Sequence, residues 1–200
     1  MSDYTWPSGR DWVPRRFQMM VMANTRTFIS PYTQGLQVTD LLADFWAVTL
    51  DMVPGNDPIV GGQVEAFFDR LKGASNRIIL WNLKRPAPLG TLRGTPTLSA
   101  AAAQLANTAS IQTTAGATLY AGDMIGIGGQ LVRCMADATA NGSGVMSVEF
   151  APRLRAAQVS GAAVTWDKPT STFVLSGNAA PVDWTPGRYT APSVDLREAF

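Results

Sequence analysis

Few of the residues that carry chemistry in proteins are present here, and they are scattered. The chain contains no histidine and a single cysteine. Ser-His-Asp and Cys-His nucleophilic systems are therefore impossible within it, as are a His-ligated zinc site and a thiolate cage. General acid–base work would fall to carboxylates, Lys, Tyr or the one thiol. The carboxylates stand singly, mostly beside turns; a pair formed in space is not readable from sequence and stays open. The glycine-rich stretch Gly126-Ile127-Gly128-Gly129-Gln130-Leu131 has Leu131 where a dinucleotide fingerprint needs its third glycine, and a strand pattern follows instead of a helix. A tight turn between two strands is the better reading. Asp137 to Gly144 (DATANGSG) offers oxygen side chains but lacks the alternating acids and terminal Glu of a calcium loop, so it reads as a hairpin turn. Cys134, in Gln130-Leu131-Val132-Arg133-Cys134-Met135, reads as a buried apolar residue of a strand. These residues supply no catalytic, cofactor-binding or metal-binding set, and a non-enzymatic protein is expected.

Composition turns attention to surfaces. Over 200 residues, 46% are hydrophobic and 16% charged, with a net charge of +1. A typical domain is about one quarter charged. So little charge suits either a neutral Ser/Thr/Gln/Ala surface or one covered by partner subunits. Specific nucleic-acid binding needs a basic excess or a clustered basic face. The densest basic run, Arg10, Arg15 and Arg16, includes Asp11. No apolar run reaches the length of a membrane-spanning helix, and the start Met1-Ser2-Asp3-Tyr4-Thr5-Trp6-Pro7 lacks the pattern of a signal peptide. The lone cysteine is in keeping with synthesis in a reducing cytoplasm.

The elements are mostly strands. Residues 17–22 (FQMMVM) and 25–30 (TRTFIS) are β-prone and separated by Ala23-Asn24, which predicts a hairpin. Residues 45–52 predict a strand with Trp46, Val48, Leu50 and Met52 on one face. Residues 60–73 predict the one helix, with Val60, Val64, Phe67, Phe68 and Leu71 as its apolar stripe. Arg70 and Lys72 fall in its last turn, and Gly73 is the C-terminal cap. A strand follows at 77–82. The Pro- and Gly-rich residues 84–98 mark a boundary. Residues 100–106 suit a short helix or extended structure equally. Further strands are expected at 124–127, 130–136, 145–150, 162–166 and 172–175, with Asn141-Gly142-Ser143-Gly144 as a hairpin turn. The sequence shows no internal repeat.

The expected fold is mainly β with one helix. A split β-barrel or sandwich with a flanking helix spans 1–98 together with 177–200, and a small barrel-like β domain is inserted at 99–176. The six tryptophans, at 6, 12, 46, 81, 166 and 184, are too dispersed for a single stacking platform and read as core or interface anchors. Both ends, 1–16 and 177–200, look like extended aromatic arms. Tyr4, Trp6, Trp12, Arg15, Arg16, Trp184, Tyr189 and Phe200 are the candidate subunit-interface residues.

The stretch from Tyr120-Ala121-Gly122-Asp123 to Gly129-Gln130-Leu131-Val132-Arg133, with the later Ala151-Pro152-Arg153-Leu154-Arg155, resembles a segment common in tail proteins of long-tailed bacteriophages. The order of strands, a Phe67–Phe68 helix and an Ile-Ile-Leu-Trp strand is similar as well. The resemblance implies a distal tail or tail-tip protein of the virion. There a split β-barrel with one helix builds a ring, commonly hexameric, that joins the tail tube protein to the baseplate hub and the host-recognition proteins. Larger members have a larger second domain than this chain. The alternative is a stand-alone β-barrel module that binds saccharide or protein.

Overall fold

In the computed structural model, residues 1–190 and 192–200 are described. The chain is mainly β; among the described residues there is one α-helix, and the strands form two six-stranded sheets and three two-stranded ones, none closed into a barrel. It divides into two compact units. The first comprises Met1–Met20, Trp46–Pro86 and Thr170–Phe200; the second comprises Val21–Phe45 and Ala87–Pro169.

The sheet of the first unit runs Asp3–Thr5, Arg77–Trp81, Thr170–Leu175, Ser193–Glu198, Phe45–Asp51, Arg16–Met22. Period-two alternation builds its inner face: Trp46, Val48, Leu50, Ile78, Leu80, Phe173, Leu175, Val194 and Leu196 are all buried. Asp3–Thr5 pairs parallel to Arg77–Trp81, and Asp3 meets Arg77 at 2.7 Å. The buried carboxylate of Glu198 accepts the backbone N–H of Trp46 (2.8 Å) and the hydroxyl of Ser171 (2.5 Å), tying three strands together. The helix spans Pro58–Asp69, not 60–73. Asp57 caps its start by accepting the Ile59 N–H at 2.8 Å, and Pro58 fits the first turn, where its missing N–H costs nothing. The helix stops early because Lys72 and Gly73 take left-handed conformations (φ 49° and 64°). Lys72 therefore lies outside the last turn, and Arg70 is the C-cap residue. The expected stripe is otherwise buried at Val64, Phe67, Phe68 and Leu71.

The second unit has its own sheet, in the order Val164–Thr165, Met124–Ile127, Gln130–Cys134, Val145–Ala151, Thr108–Gln112, Thr97–Leu98. Met124–Ile127 and Gln130–Cys134 form the expected tight hairpin. Gly128 and Gly129 turn it at φ 55° and 85°, the left-handed pair that a two-residue connection requires. Cys134 is buried, as its strand setting implied. Burial and the Asp123 charge push its thiol up to about 12. Asp123 is buried and saturated: one oxygen accepts the N–H of Leu89 (2.8 Å), the other those of Gly90 (3.0 Å) and Tyr120 (2.9 Å). Arg93 donates to the carbonyls of Gly90, Leu92 and Pro88 and stacks 4.9 Å from the Trp166 ring, whose Nε1 donates to Gly94.

Several expectations need correction. The 17–22 and 25–30 strands do not pair with each other. Arg16–Met22 edges the first sheet, whereas Thr25–Ile29 pairs with Leu36–Asp40. Ala23-Asn24 does not make the tight turn, because Asn24 is engaged otherwise: its N–H donates to Asp44 (3.2 Å) and its C=O accepts from Leu41 (2.9 Å). Thr170–Leu175 was expected in the inserted domain, but it lies in the first sheet between Arg77–Trp81 and Ser193–Glu198. Residues 87–98 belong to the second unit, where Leu92 and Leu98 are part of the core. Of the two readings left open for residues 100–106, extended structure is the one found, with Ala102 bridging to Gln158. The Asn141 turn is present, with Asn141 Oδ1 accepting from Ser143 and Val145. Its flanking strands pair elsewhere, Ala138–Thr139 with Thr118–Leu119 and Val145–Ala151 with Thr108–Gln112 and Gln130–Cys134.

Candidate interaction surface

The ribbon Thr25–Ile29/Leu36–Asp40 is a two-stranded sheet of its own. Its ladder has five residue pairs, from Thr25 opposite Asp40 to Ile29 opposite Leu36, and no third strand. The connecting residues 30–35 close on themselves: Ser30 N–H donates to Gly35 (3.0 Å) and Gln34 N–H to Ser30 (2.9 Å), with Gln34 at φ 55°. All ten strand residues are exposed.

Alternation sorts the side chains of this ribbon. Thr25, Thr27, Ile29, Leu36, Val38 and Asp40 share one face, and Arg26, Phe28, Gln37 and Thr39 the other. Ile29, Leu36 and Val38 form a contiguous apolar patch, yet they are 56%, 64% and 55% exposed. Phe28 is exposed on the opposite face, and Tyr32 at the tip is 94% exposed. An isolated two-stranded hairpin is at best marginally stable in water, and a contiguous exposed apolar patch is a mark of an interaction site.

The residues expected at subunit interfaces separate into three groups. Trp6 and Tyr189 are corrected to core positions at 2% and 5% exposure. Trp6 packs edge-on against Trp12, Phe67 and Phe68, and its Nε1 donates to the Trp12 carbonyl at 3.1 Å. The N-terminal segment is thus part of its own unit, held by the strand Asp3–Thr5 and by Trp6. Tyr4 and Trp12 are half-buried, Trp12 lying 5.1 Å from Phe67. Arg15, Arg16, Trp184 and Phe200 are exposed. The second terminal segment is not wholly extended either, since Asp183–Thr185 and Arg188–Thr190 form a hairpin before the strand Ser193–Glu198 joins the sheet.

Sequence reading missed the ribbon as a surface. The signal was there in Leu36 and Val38 alternating with polar neighbours behind the Pro31-Tyr32-Thr33-Gln34-Gly35 turn. Assigning 25–30 to the wrong partner hid it.

The buried carboxylates Asp123 and Glu198 fall in different units, each filled by donors as described. Among the described residues, no group of three or more Asp, Glu or Cys side chains is placed to hold a metal ion. Among them no helix is long and apolar enough to cross a membrane. Against models of known protein families and against curated proteins, the chain has no match.

Proposed function

We propose that this chain is a structural subunit of a bacteriophage tail tip, of the distal-tail kind. It assembles with copies of itself into a ring, six-fold as is common in that family, between the tail tube protein and the baseplate hub. The observation that carries the reading is the ribbon at 25–40, whose apolar face is left uncovered by the chain itself. Burying what remains exposed of Ile29, Leu36 and Val38 contributes roughly 1 kcal/mol apiece, repeated at every interface of a closed ring. The sparse charge of the chain and its segmental resemblance to tail proteins point the same way. Exposed Arg15, Arg16, Trp184 and Phe200 are the further contacts on this reading.

Electron microscopy of the purified full chain in negative stain tests it. Rings of uniform size are expected at micromolar concentration. A monodisperse monomer at tens of micromolar would contradict the proposal and favour a stand-alone binding module.

A further inference from the structure

Within the first unit, the hairpin Asp183–Thr185/Arg188–Thr190 lies over the start of the helix. Two glycines allow the approach. A Cβ on Gly61 would stand 2.7 Å from Trp184 Cη2 and 2.8 Å from Tyr189 Cδ1, and one on Gly55 would stand 2.6 Å from the Tyr189 hydroxyl. Gly55 and Tyr189 also exchange two backbone hydrogen bonds, of 2.9 and 3.3 Å. Tyr189 is held in one place by these contacts, and it lines a cavity of about 380 Å³.

Apart from Asp57, the polar side chains around that cavity make no side-chain bond with a described residue. Arg10, Asp11 and Asn56 line it, and none makes a side-chain hydrogen bond or ion pair with a described residue. Asp57 spends one oxygen on the helix cap. The Tyr189 ring is buried, and its hydroxyl, which makes no hydrogen bond with a described residue, stays open to the cavity. Burial first, and then the charges of Asp11 and Asp57, push its ionisation upward, so it stays a donor. A buried aromatic wall with a few polar groups at its rim, around a cavity of a few hundred Å³, is the composition of a ligand site.

We propose that this cavity binds a saccharide. Each sugar hydroxyl both donates and accepts. The carboxylates supply acceptors, the guanidinium supplies donors, and Asn56 and the tyrosine hydroxyl supply both. A simple cation is opposed by Arg10, and a simple anion by the two carboxylates. The exposed ring of Trp184 does not line the cavity but lies 5.8 Å from the Tyr189 ring that does, and it offers a flat apolar surface of the kind a pyranose face packs on. The site does not depend on the ring reading, because every residue in it belongs to the first unit of one chain.

The test uses the full chain on a printed array of neutral and acidic oligosaccharides that includes bacterial cell-wall fragments. Asp11→Asn and Tyr189→Phe are run in parallel, each with a thermal melt. Retention on at least one glycan is expected, weakened at least tenfold by either variant at unchanged Tm. No retention, or retention that both variants preserve, overturns the proposal. Should a variant melt lower, Asn56→Ala, on an exposed loop, is read in its place by the same criterion. The ribbon variants described below are expected to bind as the parent does, which separates loss of this site from loss of assembly.

Discussion

Two antiparallel hairpins of similar length meet opposite fates in this chain. Met124–Ile127/Gln130–Cys134 has neighbours on both edges, and seven of its nine strand residues are buried. Among the described residues, Thr25–Ile29/Leu36–Asp40 has no neighbouring strand, and every strand residue of it is exposed. Both carry β-branched and apolar residues, so β-propensity does not separate them. The difference lies in what they pack against. The first contributes to a core within the chain; the second keeps an apolar face that no described residue covers, and on the proposed reading a neighbouring copy meets it.

Matched substitutions sharpen the contrast. Ile125→Asp places an unpaired charge in the core of the second unit and is expected to cost at least about 4 kcal/mol, read by urea denaturation. The matching change in the ribbon, Ile29→Asp, is expected to shift stability by no more than about 0.5 kcal/mol. Equal losses would erase the distinction. Asp123→Ala, next to the buried hairpin, leaves the N–H groups of Leu89, Gly90 and Tyr120 without an acceptor and should cost about 3–4 kcal/mol.

Alkaline pH probes the same hairpin through Cys134. Burial and the Asp123 charge push the folded thiol up to about 12 from its ordinary value of 9.0. The sign follows: below pH 9 both states keep the proton, and above it the unfolded chain releases a proton that the folded chain retains. This contribution to stability is therefore lost as pH rises from 9 to 12, by roughly 3 kcal/mol at pH 11. Comparing the pH slopes of parent and Cys134→Ala isolates it, since the variant should lack that fall. A smaller effect is expected at the turn. Gly128→Ala meets both a left-handed φ and the Gln158 side chain, 2.0 Å from the new Cβ, and should cost about 1–2 kcal/mol in a thermal melt.

Much of this architecture was legible from periodicity. The alternation Trp46, Val48, Leu50, Met52 gave the right face of a strand, and the Gly128-Gly129 pair gave the right turn. The stripe through Phe67 and Phe68 located the helix, though the Asp57-Pro58 start signal was missed. Partnership was not legible. Period-two alternation says that Thr170–Leu175 is a strand but not which sheet it joins, because pairing across roughly ninety residues leaves no local trace. Aromatic density at the ends misled for a related reason. Trp6 and Tyr189 look alike as sticky residues in a sequence, but one finds Phe67 and Phe68, and the other finds the glycines that let it lie down. Burial of a large ring within its own unit removes it from any interface. The exposed alternation of Leu36 and Val38, far weaker as a sequence signal, is what remains available.

The central claim is that the 25–40 ribbon joins copies of the chain. Sedimentation velocity on the parent and on the triple variant Ile29→Ser/Leu36→Ser/Val38→Ser tests it most directly, with a thermal melt of each. The expected result is a discrete oligomer for the parent and a monomer for the variant, with the variant's Tm unchanged. A parent that sediments as a monomer, or a folded variant that sediments as the parent oligomer does, would contradict the claim.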